Sequence, residues 1–129
     1  MTTKTETAVV DLAAKLAAFS EHWSPRVVGE LNGQQVKLAK LLGEFDWHHH
    51  EHEDELFLVL SGELLMRLRG DEGPREVTIG EGQFFIVPRG VEHQPVAHQE
   101  CSVMLFEPAS TLNTGNLRNE RTVERLARL

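Results

Sequence analysis

The chain has 129 residues, of which 40% are hydrophobic and 26% are charged, and its formal net charge at pH 7 is −7. The length fits one domain with a hydrophobic core of its own, and the composition is typical of a globular protein. The negative charge argues against nucleic acid or an anionic membrane surface as a partner. No apolar run has the roughly 18 residues that a membrane-spanning helix needs.

The N-terminal part is predicted to contain one short amphipathic helix over residues 8–19. Val9, Leu12, Leu16 and Phe19 recur at steps of three and four residues, which places them on one helical face. We expect this face to pack on the outside of the sheet that follows. Charged residues interrupt the alanine-rich segment, so it is not interpreted as a targeting signal.

Short strands are predicted along the middle of the chain. Asn32-Gly33 joins two apolar segments and is a strong hairpin signal. The continuous run LFLVL at 56–60 predicts a strand that is buried on both faces. Further strands are expected at ELLMRLR, REVTI, QFFIV, EHQPV and SVMLFE, between turns rich in glycine and proline. This succession of short strands favours an antiparallel β-sandwich or barrel.

The last part of the chain is polar with scattered leucines. Val123, Leu126 and Leu129 recur at steps of three residues, which predicts a helix over residues 122–129. One hypothesis places this tail on a partner subunit.

Cys101 is the single cysteine of the chain. It excludes an internal disulfide and fits a reducing compartment, so a cytoplasmic location is expected. We predict that Cys101 is a small buried hydrophobic residue on a late strand rather than a redox centre.

A cluster of histidines and acids, HHHEHEDE, precedes the LFLVL strand. Side chains alternate along an extended strand, so His48 and His50 point one way and His49 points the other. Glu55 lies far enough beyond His50 for the chain to turn and return on a neighbouring strand. Imidazole nitrogens with a carboxylate oxygen suit a divalent transition metal: Fe, Mn, Co, Ni, Cu or Zn. His93, in the later segment GQFFIVPRGVEHQPVA, is a candidate fourth ligand.

These two segments resemble the paired motifs of the cupin superfamily. The residues that match the first motif are Gly43, His48, His50, Glu55 and Gly62. Those that match the second motif are Gly82, Pro88, Gly90 and His93. The chain departs from the family pattern in the spacing between Gly43 and His48, which is one residue short, and in Ala97, which stands where the family has asparagine. Neither departure removes a metal ligand.

The resemblance implies an all-β fold: a small antiparallel jelly-roll β-barrel with a short N-terminal helix. The corresponding division is residues 1–24 for the helix and lead-in, 25–110 for the barrel and 111–129 for the tail. Cupins of this size commonly pair through barrel edge strands, so the resemblance also implies a homodimer. An exposed edge strand gives that pairing a physical reason.

The resemblance further implies one divalent metal inside the barrel, held by His48, His50, Glu55 and His93. Among the acids of the cluster, Glu55 has the family spacing to the glycine that follows, whereas Glu53 and Asp54 do not. Alternative positions remain open: His52 could replace or supplement a ligand if the loop bulges, and the residues expected outside the site are His49 and His98.

Three imidazoles and one carboxylate on a metal that prefers six ligands leave two open positions. A metal-dependent enzyme on a small oxygenated metabolite is therefore expected. The resemblance implies the family chemistries that this ligand set allows, a dioxygenase or a sugar-type isomerase or epimerase. The alternative is a non-catalytic module that binds or senses a small molecule with the help of the metal. The sequence contains no tyrosine, so proton transfer would depend on metal-bound water, a glutamate or a histidine.

Overall fold

The computed structural model describes residues 8–129; residues 1–7, the start of the predicted lead-in, lie outside this range. The described chain is all-β apart from one short helix. Its elements are α1 Leu12–Leu16, β1 Arg26–Leu31, β2 Gln34–Glu44, β3 Glu55–Ser61, β4 Leu64–Gly70, β5 Gly73–Ile79, β6 Phe84–Val87, β7 Glu92–Pro108 and β8 Ala127–Arg128.

The eight strands form one sheet that curls into a barrel. The strand order is β5-β4-β7-β2-β1-β8, and β3 joins β7 on one side and β6 on the other. All pairings are antiparallel except that of β1 with β8. No helix of residues 8–129 is long and apolar enough to cross a bilayer. The predicted all-β fold with a small helix is confirmed.

The helix is shorter than predicted, because α1 covers Leu12–Leu16 rather than residues 8–19. Asp11 caps its first turn, with the side-chain oxygen accepting from the backbone N–H of Ala14 at 3.3 Å. Val9 is 98% exposed, whereas Phe19 is buried against the barrel. The helix ends before Phe19, whose side chain packs against the sheet. Val9, at the other end of the predicted helix, is exposed and does not contribute to the packing.

The predicted hairpin is confirmed at the junction of β1 and β2. Asn32 and Gly33 have φ of 49° and 78°, the left-handed pair that a two-residue hairpin of type I′ requires. β2 then runs antiparallel to β7 over nearly its whole length. This places β2 in the centre of the sheet, where its inward side chains face the interior of the barrel.

The prediction that LFLVL is buried on both faces is wrong. Along β3 the exposure alternates, with Glu55, Phe57 and Val59 buried and Leu56 and Leu58 partly exposed. The buried face belongs to the core, and the other face is an apolar outer surface of the sheet. A continuous apolar run does not distinguish a strand that is buried on both faces from a strand whose outer face is apolar but partly exposed.

The two strands expected at EHQPV and SVMLFE are one strand, β7, of 17 residues. Its first half pairs with β4 and its second half with β3, while β2 follows it on the other side. The polar residues at 98–100 are exposed but remain extended, since no glycine or proline interrupts the backbone there. Cys101 is fully buried on this strand, and burial raises its pKa to about 11, which confirms the prediction for this residue.

The helix predicted over 122–129 is wrong. This segment consists of turns and the two-residue strand β8, which pairs in parallel with β1. The tail packs on its own barrel: the backbone N–H of Asn116 donates to the His49 carbonyl at 3.0 Å, and its side-chain oxygen accepts from the His49 N–H at 2.9 Å. These contacts fix the tail beside the histidine cluster.

Candidate metal centre

The loop between β2 and β3 carries the histidine cluster and is joined to the start of β7. His48 and His93 exchange backbone hydrogen bonds of 3.0 and 2.9 Å, and the His50 carbonyl accepts from the N–H of Gly90 at 2.7 Å. Glu55 begins β3 and points into the barrel. Hydrogen bonding between the two motif segments therefore brings together residues that are far apart in sequence.

Four side chains converge in the interior: His48, His50, Glu55 and His93. One ligand atom from each lies within 4.8 Å of all the others, and none of the four residues is more than 4% exposed. Glu55 Oε1 lies 3.0 Å from His50 Nε2 and 3.3 Å from His93 Nε2. The structure thus brings together all four residues that were predicted from the sequence as metal ligands.

Backbone carbonyls orient two of the imidazoles. His48 Nδ1 contacts the Asp46 carbonyl and His93 Nδ1 contacts the Val91 carbonyl, each at 2.9 Å. A carbonyl accepts only, so each Nδ1 carries the proton and donates it. The Nε2 atoms keep a free lone pair, which is the arrangement that metal-binding histidines adopt.

The donor atoms fit a cation. Within residues 8–129, His50 Nε2, Glu55 Oε1 and His93 Nε2 are buried and have no hydrogen-bond partner, because their close contacts lack hydrogen-bond geometry. Buried polar atoms without partners are costly, and an ion bound between them removes that cost. The donor set suits a divalent transition metal.

Burial and charge favour the metal-binding protonation states of His48 and Glu55, whereas Glu55 favours the protonated form of His50. Burial, with a smaller effect from His93, lowers the pKa of His48 to about 4. Burial alone would raise the pKa of Glu55, but its contacts with His50 and His93 outweigh burial and hold this pKa well below the usual range. Burial lowers the pKa of His50, and the adjacent Glu55 more than compensates, so the net pKa is raised. A neutral His48 and an ionised Glu55 are ready to coordinate.

The other polar residues of the cluster lie outside this group. The side chain of His49 is 25% exposed and that of His52 is 86% exposed. Glu53 accepts from the Ser110 hydroxyl at 2.8 Å, and Asp54 pairs with Arg89 at the surface. His98 is also exposed. Side chains along this loop segment thus alternate between the interior and the surface, and His48 and His50 face the interior, as expected.

A cavity opens beside the four residues. Most of its wall is apolar; the apolar lining residues are Trp23, Pro25, Ala39, Leu41, Phe45, Phe57, Pro95, Val103 and Leu105. The polar lining residues are His48 and Glu55 of the cluster, together with Lys37, Glu107 and Asn113. A group that reached the metal ligands through this cavity would therefore meet a mainly apolar wall.

Sequence reasoning missed Lys37 and Glu107, which form an ion pair of 2.6 Å inside the barrel. Burial, and repulsion from the neighbouring Glu55, raise the pKa of Glu107 well above its usual range. A signal was present in the alternation of the strands. Lys37 shares a face with Ala39 on β2, and Glu107 shares a face with Leu105 on β7.

The tail also contributes to the site. Asn113 lines the cavity, and its side chain is held by the Arg121 carbonyl and the Val123 N–H at 2.8 and 2.9 Å. Gly115 lies directly against the backbone of His49 with φ of 58°. Only a residue without a side chain fits at this position, so the tail supports the histidine loop from behind.

Comparison with known proteins identifies the family. A model of the cupin domain matches residues 34–107, more than half of the chain. The chain belongs to the cupin family. The matched range includes both motif segments and all four candidate ligands.

Relatives with known sequences or structures agree with this assignment. The crystal structure of a cupin-2 domain containing protein from Shewanella frigidimarina NCIMB 400 superimposes with a TM-score of 0.73 and 42% identity, over 78% of this chain and 94% of that one. YdbB of Bacillus subtilis (strain 168) is 39% identical over 90 residues, 62% of this chain and 77% of that protein. The 3-hydroxyanthranilate 3,4-dioxygenase of Bos taurus is 38% identical over 48 residues, which cover 37% of this chain but 17% of the enzyme.

Proposed function

We propose that this cupin is a metal-dependent dioxygenase that acts on a small oxygenated substrate with a mainly apolar frame. The observation that carries the proposal is the convergence of three imidazoles and one carboxylate beside an apolar cavity. Four protein ligands on an ion that prefers six would leave two positions for substrate or dioxygen. An open coordination sphere of this kind distinguishes a catalytic metal from a structural one.

In this proposal His48, His50, Glu55 and His93 hold one divalent transition metal. When bound, such an ion polarises substrate oxygens and, as Fe(II), binds dioxygen. The aromatic walls formed by Trp23, Phe45 and Phe57 exclude water and pack against the frame of the substrate.

The apolar wall favours a dioxygenase over a sugar-type isomerase or epimerase. A sugar carries a hydroxyl on most carbons, and each would need a hydrogen-bond partner when buried. The lining offers few such partners away from the metal ligands. The similarity to the bovine 3-hydroxyanthranilate 3,4-dioxygenase supports the same choice, although it covers a small part of that enzyme.

The test begins with protein purified without tag or chelator and analysed for metals. We expect about one equivalent of a transition metal per chain, and oxygen consumption by Fe(II)-reconstituted protein with at least one member of a panel of catechols, aminophenols and diketones. His48→Ala and His93→Ala should lose the metal while the barrel stays folded. His98→Ala, at an exposed histidine, is the matched control and should keep it.

Two outcomes contradict the proposal. Full metal content in both His48→Ala and His93→Ala would remove these ligand assignments. Binding of panel compounds to Fe(II)-loaded protein without oxygen uptake or product would instead identify a non-catalytic binding module.

We also propose a homodimer formed through an outer apolar face of the sheet. We define this face by its residues: Val36 of β2, Leu56, Leu58 and Leu60 of β3, Phe84 and Ile86 of β6, and Met104 and Phe106 of β7. Leu56 stands opposite both Ile86 and Phe106, so the residues form a continuous surface. Phe84 and Ile86 are 61% and 48% exposed. A contiguous apolar surface next to an edge strand is typical of a protein interface.

A cytoplasmic location and the absence of nucleic-acid partners are also proposed. The buried, unpaired Cys101 and the net charge of −7 support them. Cell fractionation tests the first, and binding to labelled DNA and RNA at low salt tests the second.

A further inference from the structure

The cavity beside the candidate metal centre contains a second polar group besides the metal ligands. Lys37 and Glu107 are 1% and 2% exposed in their side chains, and Lys37 Nζ donates to Glu107 Oε2 at 2.6 Å. They lie on the adjacent strands β2 and β7 and line the cavity among apolar side chains.

Fold stability does not account for this pair. Removing two charges from water costs several kcal/mol per ion, and replacing a buried ion pair with apolar residues of similar volume is often neutral or stabilising. The neighbouring inward residues, Ala39 and Leu105, are apolar. The same interior could therefore accommodate apolar side chains at both positions. A polar pair in this place is better explained by recognition of a ligand.

Both side chains have hydrogen-bonding capacity to spare. Lys37 carries three N–H donors, and its hydrogen bond within residues 8–129 is to Glu107. Glu107 Oε1 is buried and has no hydrogen-bond partner among those residues. The pair thus offers a donor and an acceptor side by side. A hydroxyl group matches both, because it can accept from Lys37 and donate to Glu107, whereas a carboxylate can only accept and would leave Glu107 Oε1 without a donor.

We propose that Lys37 and Glu107 bind a hydroxyl substituent of the substrate while its chelating oxygens face the metal ligands. The hydroxyl accepts from Lys37 Nζ and donates to Glu107 Oε1. The pair is then the specificity determinant that selects hydroxylated rings over unsubstituted or carboxylated ones. This inference rests on the proposed function for the metal-binding end of the cavity.

The test compares ligands that share a chelating pair of hydroxyls. Catechol, pyrogallol, 1,2,4-trihydroxybenzene and 2,3-dihydroxybenzoate are titrated by calorimetry into zinc-loaded protein without oxygen, so that no turnover occurs. We expect the better of the two trihydroxybenzenes to bind about 10-fold more tightly than catechol, since hydrogen bonds to charged groups are strong. The carboxylated ring should not gain affinity over catechol.

Two variants separate recognition from folding. Lys37→Met should abolish the preference for the third hydroxyl, but it leaves Glu107 buried without a partner and can destabilise the fold. The double variant K37M/E107L replaces both charges with apolar groups, and it should keep stability and zinc content while also losing the preference. Lys40→Met is the matched control. It removes an outward-facing lysine of the same strand that donates to the Phe19 carbonyl, and the preference should remain.

Retention of the wild-type affinity ratio in K37M/E107L would overturn the inference. Equal affinities of wild-type protein for catechol and both trihydroxybenzenes would also overturn it, as would absence of binding by the whole series. None of these results decides the proposed function, which depends on iron content and oxygen uptake with the wider panel.

Discussion

At the scale of single residues, His48 makes the metal-free protein sensitive to acid. Burial lowers its pKa to about 4 in the folded state, whereas an unfolded chain has a histidine pKa of about 6.5. Between these values the unfolded chain binds a proton that the folded chain does not. Stability is therefore present above pH 6.5 and is lost as the pH falls towards 4, by up to about 3 kcal/mol.

Urea unfolding of chelator-treated protein at pH 7, 6 and 5 measures this effect. Because Glu55 and His50 also titrate, the wild type is compared with His48→Gln, whose free energy of unfolding should fall less between pH 7 and pH 5. His98→Gln removes an exposed histidine and should follow the wild type. Parallel pH profiles for wild type and His48→Gln would show that burial does not shift this imidazole.

The sequence predicted the four converging residues but missed the ion pair, and the reason is physical. Metal ligands have few residue types and short fixed spacings, so His48, His50 and Glu55 can be recognised without coordinates. Lysine and glutamate are mostly exposed, so Lys37 and Glu107 are first expected at the surface. Alternation along β2 and β7 places both residues on the inward face, but their residue types argue against burial.

At the scale of elements, the C-terminal tail supports the histidine loop through Gly115. A Cβ at this position would overlap the His49 carbonyl oxygen and lie 3.0 Å from His48 Cδ2. Gly115→Ala should therefore displace the tail and loosen the loop. We expect a loss of stability of about 2–3 kcal/mol and weaker metal binding, measured by unfolding and by competition with a chelator.

Gly82→Ala is the matched control for backbone strain. Gly82 has a similar φ of 79°, but a Cβ there would meet no atom within 4 Å. This variant should lose about 1–2 kcal/mol from the left-handed backbone alone and keep the metal affinity of the wild type. Equal metal affinity in both alanine variants would mean that the tail does not position the ligands.

The elements that were predicted wrongly share one cause. The tail has leucines at helical spacing, but Asn113 and Asn116 form hydrogen bonds with backbone groups of Arg121 and His49. A local sequence pattern does not reveal such contacts. β2 pairs with both halves of β7, on either side of a register shift between Leu41 and Gly43, so the two predicted strands belong to one. The hairpin at Asn32-Gly33 was predictable because its backbone conformation is determined by those two residues.

At the scale of the whole molecule, the candidate metal centre and the proposed dimer interface lie on opposite faces of the same strands. On β3, Glu55 and Phe57 face the cavity, while Leu56 and Leu58 belong to the outer apolar face. Because strand side chains alternate, a change on one face need not alter the other. Assembly and metal binding should therefore be separable by mutation.

The double variant F84K/I86K tests this separation. It places two charges on the exposed edge of the outer apolar face, and desolvating them in an interface is costly. We expect wild-type protein to sediment as a dimer at about 20 µM and the variant as a monomer, a shift of more than about 10-fold in the dissociation constant. The variant should retain its metal, because none of the four ligands lies on that face.

Leu31→Lys is the control, since it changes an exposed leucine on the β1–β2 hairpin, outside the outer apolar face. This variant should remain dimeric. A wild-type chain that is monomeric at this concentration, or a Leu31→Lys variant that dissociates while F84K/I86K does not, would contradict the proposed interface.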